Sequence, residues 1–187
     1  MSYIFAKDIG RLQEIEDFER QTRGNWQKQG IYLKKIGLIV APEDYYDCYR
    51  HRHYFTWGEA LRADGGTGML YDRWRLPTIR DWKKIHRYFK PNSPEALQRM
   101  VDELHLDYTG YISDSDMIEY FQSPKNFQNN PQNIYLYGSE GYYWTRSIYG
   151  KLAGDFAKNY LIIKDFRGGT DYDWRFKMFR IRCVKYI

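Results

Sequence analysis

Seven residues of the C-terminal third join the side-chain types that grip ligands to the flexible loops that present them. They are Tyr143, Arg146, Tyr149, Asp171, Tyr172, Trp174 and Arg175, all in or beside glycine-rich segments. Tyr, Trp and Arg dominate interface energetics because each combines a large contact area with a polar handle. Arg146, Trp174 and Arg175 are the expected anchors. Tyr142 and Tyr143 are adjacent in a strand-like run, and alternation sends only one of two neighbours outward, so about half of this tyrosine-rich set is expected at the surface.

Covalent and metal chemistry has less to draw on. The 2 cysteines, Cys48 and Cys183, allow at most one disulfide and exclude a Cys-rich secreted scaffold or a multi-Cys zinc module. Cys183 lies in the apolar run Ile181-Arg182-Cys183-Val184, the setting of a buried, inert thiol. His51 and His53 have the spacing to share one side of a strand, but two imidazoles without a third ligand make a poor metal site beside the plainer reading of a solvated Tyr- and Arg-rich connector. Asp165, Asp171 and Asp173 read as loop acids that balance Arg167 and Arg175 rather than as calcium ligands. Arg167-Gly168-Gly169-Thr170 reads as a turn. No Gly-x-Ser-x-Gly, phosphate-cradling glycine loop or His-Glu-x-x-His helix occurs, and these residues assign no catalytic group, metal or cofactor.

The elements that must hold these loops change character along the chain. Residues 8–21 place Ile9, Leu12, Ile15 and Phe18 on one helical face behind Asp8. IYLKKIGLIVAP reads as a strand or strand pair closed by Pro42, and residues 43–55 as a connector. Thr56 caps a short helix that stops at Gly65-Gly66. Thr78 followed by Asp81 has the spacing of a capping box, and Ile79, Trp82, Ile85, His86 and Phe89 form one face of the helix behind it. Ser93 and Pro94 open a third helix with Leu97, Met100, Val101 and Leu104 as its stripe. From residue 106 onward, runs such as NIYLYG, GYYWTRSIYG, NYLIIKDF and FKMFRIRCVKYI read as strands of an antiparallel sheet separated by long loops. Helices first and strands afterward imply an α+β fold with helices flanking a sheet.

Composition sets the outer limits. At 187 residues the chain suits one domain with a small N-terminal extension, and its 35 aromatic residues (19 Tyr, 10 Phe, 6 Trp) supply the apolar bulk that disordered chains lack. The net charge of +5 is segmental. Residues 51–100 and 151–187 each carry an excess of five positive charges, and residues 101–150 an excess of five negative ones. Basic segments that flank and neutralise an acidic one argue against nucleic-acid binding. Ile36–Ala41 is far shorter than the roughly 18 apolar residues a membrane span needs. The sequence as written carries no leader and is expected in the cytoplasm; removal of a leader would place it at the cell surface or outside.

Several segments in order carry a resemblance to a family. KIGLIV (Lys35–Val40), FTWGEAL (Phe55–Leu61), DRWRLPTIRDWKKI (Asp72–Ile85), GYYWTRS (Gly141–Ser147) and FRIRCV (Phe179–Val184) are similar to the opening strand, first helix, "WRLPT…EW" turn and closing strands of the bacterial C-type-lectin-like domains grouped as DUF1566 (Lcl C-terminal) and the Fibrobacter major paralogous domain. The resemblance spans residues 30–187, with residues 1–29 left as a helical extension. By their own chemistry Trp57, Trp74, Trp82 and Trp144 read as core packing rather than a ligand box.

The resemblance implies a C-type-lectin-like fold with long C-terminal loops and a non-enzymatic module that binds a protein or glycan through residues 138–176. Some relatives are variable receptors that diversify this segment. Where many relatives have a cysteine, Asp64 stands here, a departure that weakens the family's usual disulfide expectation and leaves a Cys48–Cys183 pair open but not demanded. The "RLPT…W" turn also resembles that of sulfatase-modifying enzymes, whose nearby pair of reactive cysteines is missing. An enzyme of that type and a subunit of a surface or fimbrial assembly are the alternatives.

Overall fold

The last described strand of this protein closes a sheet that the first described strand begins. A computed structural model describes residues 30–47, 50–66, 74–148 and 156–186, so the expected helix at 8–21 lies outside the described residues. β1 (Ile31–Leu33) and β2 (Leu38–Val40) form an antiparallel hairpin. A 3-10 turn at Lys34–Ile36 joins them and ends on Gly37 at φ +62°, a left-handed conformation that glycine adopts without steric cost. The expected strand pair is thus present. β2 also pairs with β6 (Val184–Tyr186), giving the order β1-β2-β6.

Three helices follow their capping signals. α1 (Trp57–Gly66) begins with a reciprocal pair in which Thr56 N donates to Glu59 Oε2 at 3.0 Å and Glu59 N to Thr56 Oγ1 at 3.3 Å. α2 (Ile79–Phe89) has a full Thr78/Asp81 capping box, and α3 (Pro94–Leu104) has Ser93 as its cap and Pro94 in its first turn. Such caps satisfy amides that the helix itself leaves unpaired, each worth about 1 kcal/mol. Two shorter helices, α4 (Met117–Gln122) and α5 (Pro124–Gln128), stand where only strands and loops are expected. Their turns are too short to show a helical period, and tertiary packing of Tyr120 and Phe127 against Tyr54, Ile112 and Met178 holds them.

The second sheet has the order β3-β4-β5, with β3 at Glu140–Ile148, β4 at Phe156–Ile163 and β5 at Arg167–Trp174. Both of its faces are covered. Tyr143, Tyr160 and Ile162 pack with Trp82, Ile85 and Phe89 of α2 and Met100 and Leu104 of α3. Tyr142, Trp144 and Leu161 pack on the opposite side with Phe55, Trp57, Phe179, Ile181 and Cys183. Trp57, Trp74, Trp82 and Trp144 are all buried, as their sizes imply.

Residues 178–184 tie the sheets together through single bridges rather than one long strand. Trp144 N donates to Arg180 O at 3.0 Å, Arg180 N to Tyr142 O at 3.1 Å and Arg75 N to Val184 O at 2.9 Å. Only Val184–Tyr186 of FKMFRIRCVKYI is therefore regular strand. Two further expectations change. Arg167–Thr170 is part of β5 and not a turn; Gly168 lies against the Tyr160 hydroxyl, where an added Cβ would sit at 2.8 Å, so this glycine answers to close packing. NIYLYG is mostly turn, with Leu136 at φ +56° and Gly138 at φ +78°. The architecture among the described residues is α+β, with two small antiparallel sheets and five α-helices.

Candidate functional site

Because directly paired strand residues share a face, register decides where the expected ligand residues point. Trp144, Asn159 and Asp171 are paired in one row, so they share the face that carries Phe179; Tyr143, Tyr160 and Thr170 share the other. Tyr143 is fully buried. Its hydroxyl donates to Asp107 O at 2.9 Å and accepts from Asp107 N at 2.8 Å, and its ring lies 5.9 Å from Trp82. It is a core residue, which corrects its assignment to the ligand surface. Neither Tyr142 nor Tyr143 points to solvent, because the sheet is covered on both sides.

The rest of the set divides. Arg146 is exposed near the end of β3, where the β3–β4 register shifts, and its amide donates to Pro77 O at 2.9 Å. Asp171 is exposed and accepts from the Tyr172 amide at 2.9 Å. Tyr172 is exposed but pairs opposite Lys158, so it faces away from Asp171. Arg175 is half-buried, with its guanidinium 4.5 Å above the Trp57 ring and its carbonyl accepting from Trp57 N at 3.2 Å. Trp174 ends β5 with its backbone opposite Phe156. Tyr149 lies outside the described residues.

A tighter grouping surrounds Tyr111. Reciprocal backbone bonds, Tyr111 N to Tyr135 O at 3.0 Å and Tyr135 N to Tyr111 O at 2.9 Å, hold the turn 134–138 against residue 111. The rings of Tyr111 and Tyr135 stack at 5.4 Å and 17°. Tyr135 is nonetheless 48% exposed, so its outer face is open. The Lys177 ammonium lies 4.5 Å from the Tyr111 ring and 2.9 Å from Asp173 Oδ1. Tyr142 meets Tyr111 edge-on at 5.3 Å and donates its hydroxyl to Glu140. Burial first, then the bond to Glu140 and the nearby Asp173 charge, push the Tyr142 phenol far above its usual range, so it stays a neutral donor.

This grouping presents an aromatic plane flanked by carboxylates and an ammonium. Aromatic faces hold the C–H surface of a ring by dispersion, and charged groups at its rim bond hydroxyls. Asn159 adds an unusual element on the same sheet face: it is 1% exposed, and neither its amide oxygen nor its amide nitrogen has a hydrogen-bond partner. Of these groups, Tyr111, Tyr135, Glu140, Asn159, Asp173 and Lys177 are absent from the expected set. NIYLYG has the composition of a strand, but the Asn- and Pro-rich stretch before it and the Gly138 that closes it are the turn signals that mark it as a presented loop.

The metal readings find no common site. His51 Nδ1 lies 2.9 Å from the Tyr46 hydroxyl, whereas the His53 ring meets Tyr46 tilted by 33° at 4.5 Å. Among the described residues no three His, Cys, Asp or Glu side chains are grouped to hold a metal, and Cys183 is fully buried. No described helix is long and apolar enough to cross a membrane. No protein-family model matches the chain, and no curated protein matches it.

Proposed function

We propose that this protein is a non-enzymatic binding module of C-type-lectin-like architecture that recognises a glycan through the loops at the open end of its second sheet. The observation that carries this reading is the Tyr135 ring, mounted on Tyr111 with its outer face free and with Glu140, Asp173 and Lys177 around the mount. A rigid aromatic ring costs little ordering entropy on binding, and its backbone is already fixed by two hydrogen bonds. The closure of the first sheet by the C-terminal strand, together with two helices packed on the second sheet, supports the architecture. A protein ligand would use the more separated groups Arg146, Asp171, Tyr172 and Arg175.

A glycan array probed with the full chain tests the reading, with Tyr135→Ala, Asp173→Asn and Arg146→Ala/Arg175→Ala as comparisons at matched thermal stability. Glycans retained by wild type and lost in the first two variants are expected. No retained glycan, or the same pattern in Tyr135→Ala, would overturn it. Capture lost only in Arg146→Ala/Arg175→Ala would move the ligand to the strand ends.

A further inference from the structure

We infer a second binding surface, for a linear polyanionic polysaccharide, along the solvent face of α2. It does not depend on the glycan reading at Tyr135. Arg80, Lys83, Arg87 and Lys90 are all exposed, and their spacing of three and four residues sets them on one side of the helix. Trp82, Ile85 and Phe89 fill the core from the other side. At about 1.5 Å per residue the four cations span about 15 Å. Lys84 stands at the edge of the row, with its ammonium 3.2 Å from the Tyr186 hydroxyl. Lys34 and Lys35, both exposed, add to the same field from the 3-10 turn that packs beside α2.

The fold does not balance this charge. The side chains of the four make no hydrogen bond or ion pair with any described residue. Asp81, the one acid of α2, is buried and held by Arg75, Thr78 and Tyr186. Like charges three and four apart destabilise a helix, and Arg80, in the first turn, also lies at the positive end of the helix dipole. α3 shows the usual remedy: Arg99 Nε lies 3.8 Å from Glu103 Oε1, and Gln98 donates to Asp102 Oδ1 at 2.7 Å. A row of cations that weakens its helix and gains nothing inside the fold is accounted for by a partner outside it.

The positive strip is narrow. α3 packs beside α2 and has Glu95, Asp102 and Glu103 exposed, so a bilayer or a nucleic-acid duplex, each wider than one helix, would meet those carboxylates as well. A single nucleic-acid strand needs open aromatic faces on which to stack its bases. The ring next to the row is Tyr186, over which Arg75 lies at 4.8 Å and Lys84 at 4.9 Å. A linear polysaccharide bearing sulfates or uronate carboxylates needs neither a wide surface nor a stacking platform. Its charges repeat along one line, and long, unpaired Lys and Arg side chains follow them and release bound counter-ions on contact.

Heparin tests the assignment, with dextran, single- and double-stranded DNA and phosphatidylserine vesicles as comparisons, each titrated with the full chain near physiological salt. Saturable binding of heparin, absent with dextran, tighter than to DNA or vesicles and falling steadily as salt rises, is the expected result. Arg80→Gln/Lys83→Gln/Arg87→Gln should weaken it by about tenfold or more, while the melting temperature stays level or rises because like charges leave the helix. Lys125→Gln/Lys164→Gln/Arg167→Gln removes as many exposed cations elsewhere and should change the affinity by about threefold or less. No saturable heparin binding in wild type, equal losses in the two triple variants, or tighter binding of DNA or vesicles would overturn the assignment. That failure is separate from failure of the Tyr135 site, since Tyr135→Ala is expected to leave heparin binding unchanged.

Discussion

The Tyr186 hydroxyl donates to Asp81 Oδ1 at 2.6 Å across 105 residues of chain. The other carboxylate oxygen of Asp81 receives Arg75 at 2.7 Å, Thr78 N at 2.7 Å and the Thr78 hydroxyl at 2.7 Å. One fully buried carboxylate therefore joins the strand-turn before α2, the first turn of α2 and the last strand of the chain.

Removing that carboxylate should destabilise the fold more than removing any one of its donors. Asp81→Ala leaves Arg75 partly buried without its acid and breaks the cap, for an expected loss of about 3–5 kcal/mol. Tyr186→Phe removes the buried bond to Asp81 and the exposed one that the hydroxyl accepts from Lys84 Nζ at 3.2 Å, and it keeps the ring that Arg75 covers at 4.8 Å, so about 1.5–3 kcal/mol is expected. Urea denaturation of both variants checks the order; equal losses would refute Asp81 as the shared node.

Acidification should weaken the fold in two windows. Asp81 pays a desolvation cost, but bonds from Arg75, Tyr186 and Thr78 outweigh it and lower its pKa from 3.8 to about 2. The unfolded chain therefore takes up this proton first, and stability present above about pH 4 is lost as the pH falls toward 2. His53, facing Arg180 and Tyr46, falls from 6.5 to about 4 through burial and then the Arg180 charge. Here too the unfolded state binds the proton more readily, so stability is lost as the pH falls from about 6.5 to 4. After discounting for solvent screening this window is worth about 1–2 kcal/mol. Denaturant midpoints between pH 4 and 7 should slope in wild type and flatten in His53→Gln; an unchanged slope would contradict the assignment.

Much of this framework is legible in local sequence. Thr78 and Asp81 mark a helix start by spacing alone, because a capping box is built from residues three apart, and Ser93-Pro94 does the same for α3. The strand pair around Gly37 follows for a similar reason. What escapes is set by distant chain. Tyr143 looks like a surface candidate until α2 and α3 cover its face; Arg167–Thr170 looks like a turn until the Tyr160 hydroxyl explains Gly168. The bonding of buried Arg182 has no sequence signature, since its partners come from residues 41, 44, 104 and 105.

Asn159 offers a test in which a polar deletion should stabilise. Its amide is buried with donor and acceptor both unpaired, and it stands in the register row between Trp144 and Asp171. Replacing it with the near-isosteric Leu removes the desolvation cost of that amide, so Asn159→Leu should raise stability by about 1–2 kcal/mol. A lowered melting temperature would show that ordered water satisfies the amide and that the side chain is structural in its own right.

The two glycines near Tyr135 separate backbone strain from steric exclusion. Gly110 sits at φ +60°, and a Cβ there would collide with the Tyr135 carbonyl and lie 2.8 Å from Tyr137 N. Gly138 sits at φ +78° with open space around it. Gly138→Ala should thus cost only the left-handed strain of about 1–2 kcal/mol and leave the Tyr111–Tyr135 stack in place. Gly110→Ala adds a backbone clash that can be relieved only by moving the 134–138 turn, so a loss of about 2–4 kcal/mol is expected. The turn carries Tyr135, and the same displacement should abolish glycan capture even in a fully folded sample. Melting curves for both variants, with glycan binding measured well below the lower melting point, check the pair. Binding retained by Gly110→Ala would mean that the fixed position of Tyr135 is not what the ligand reads.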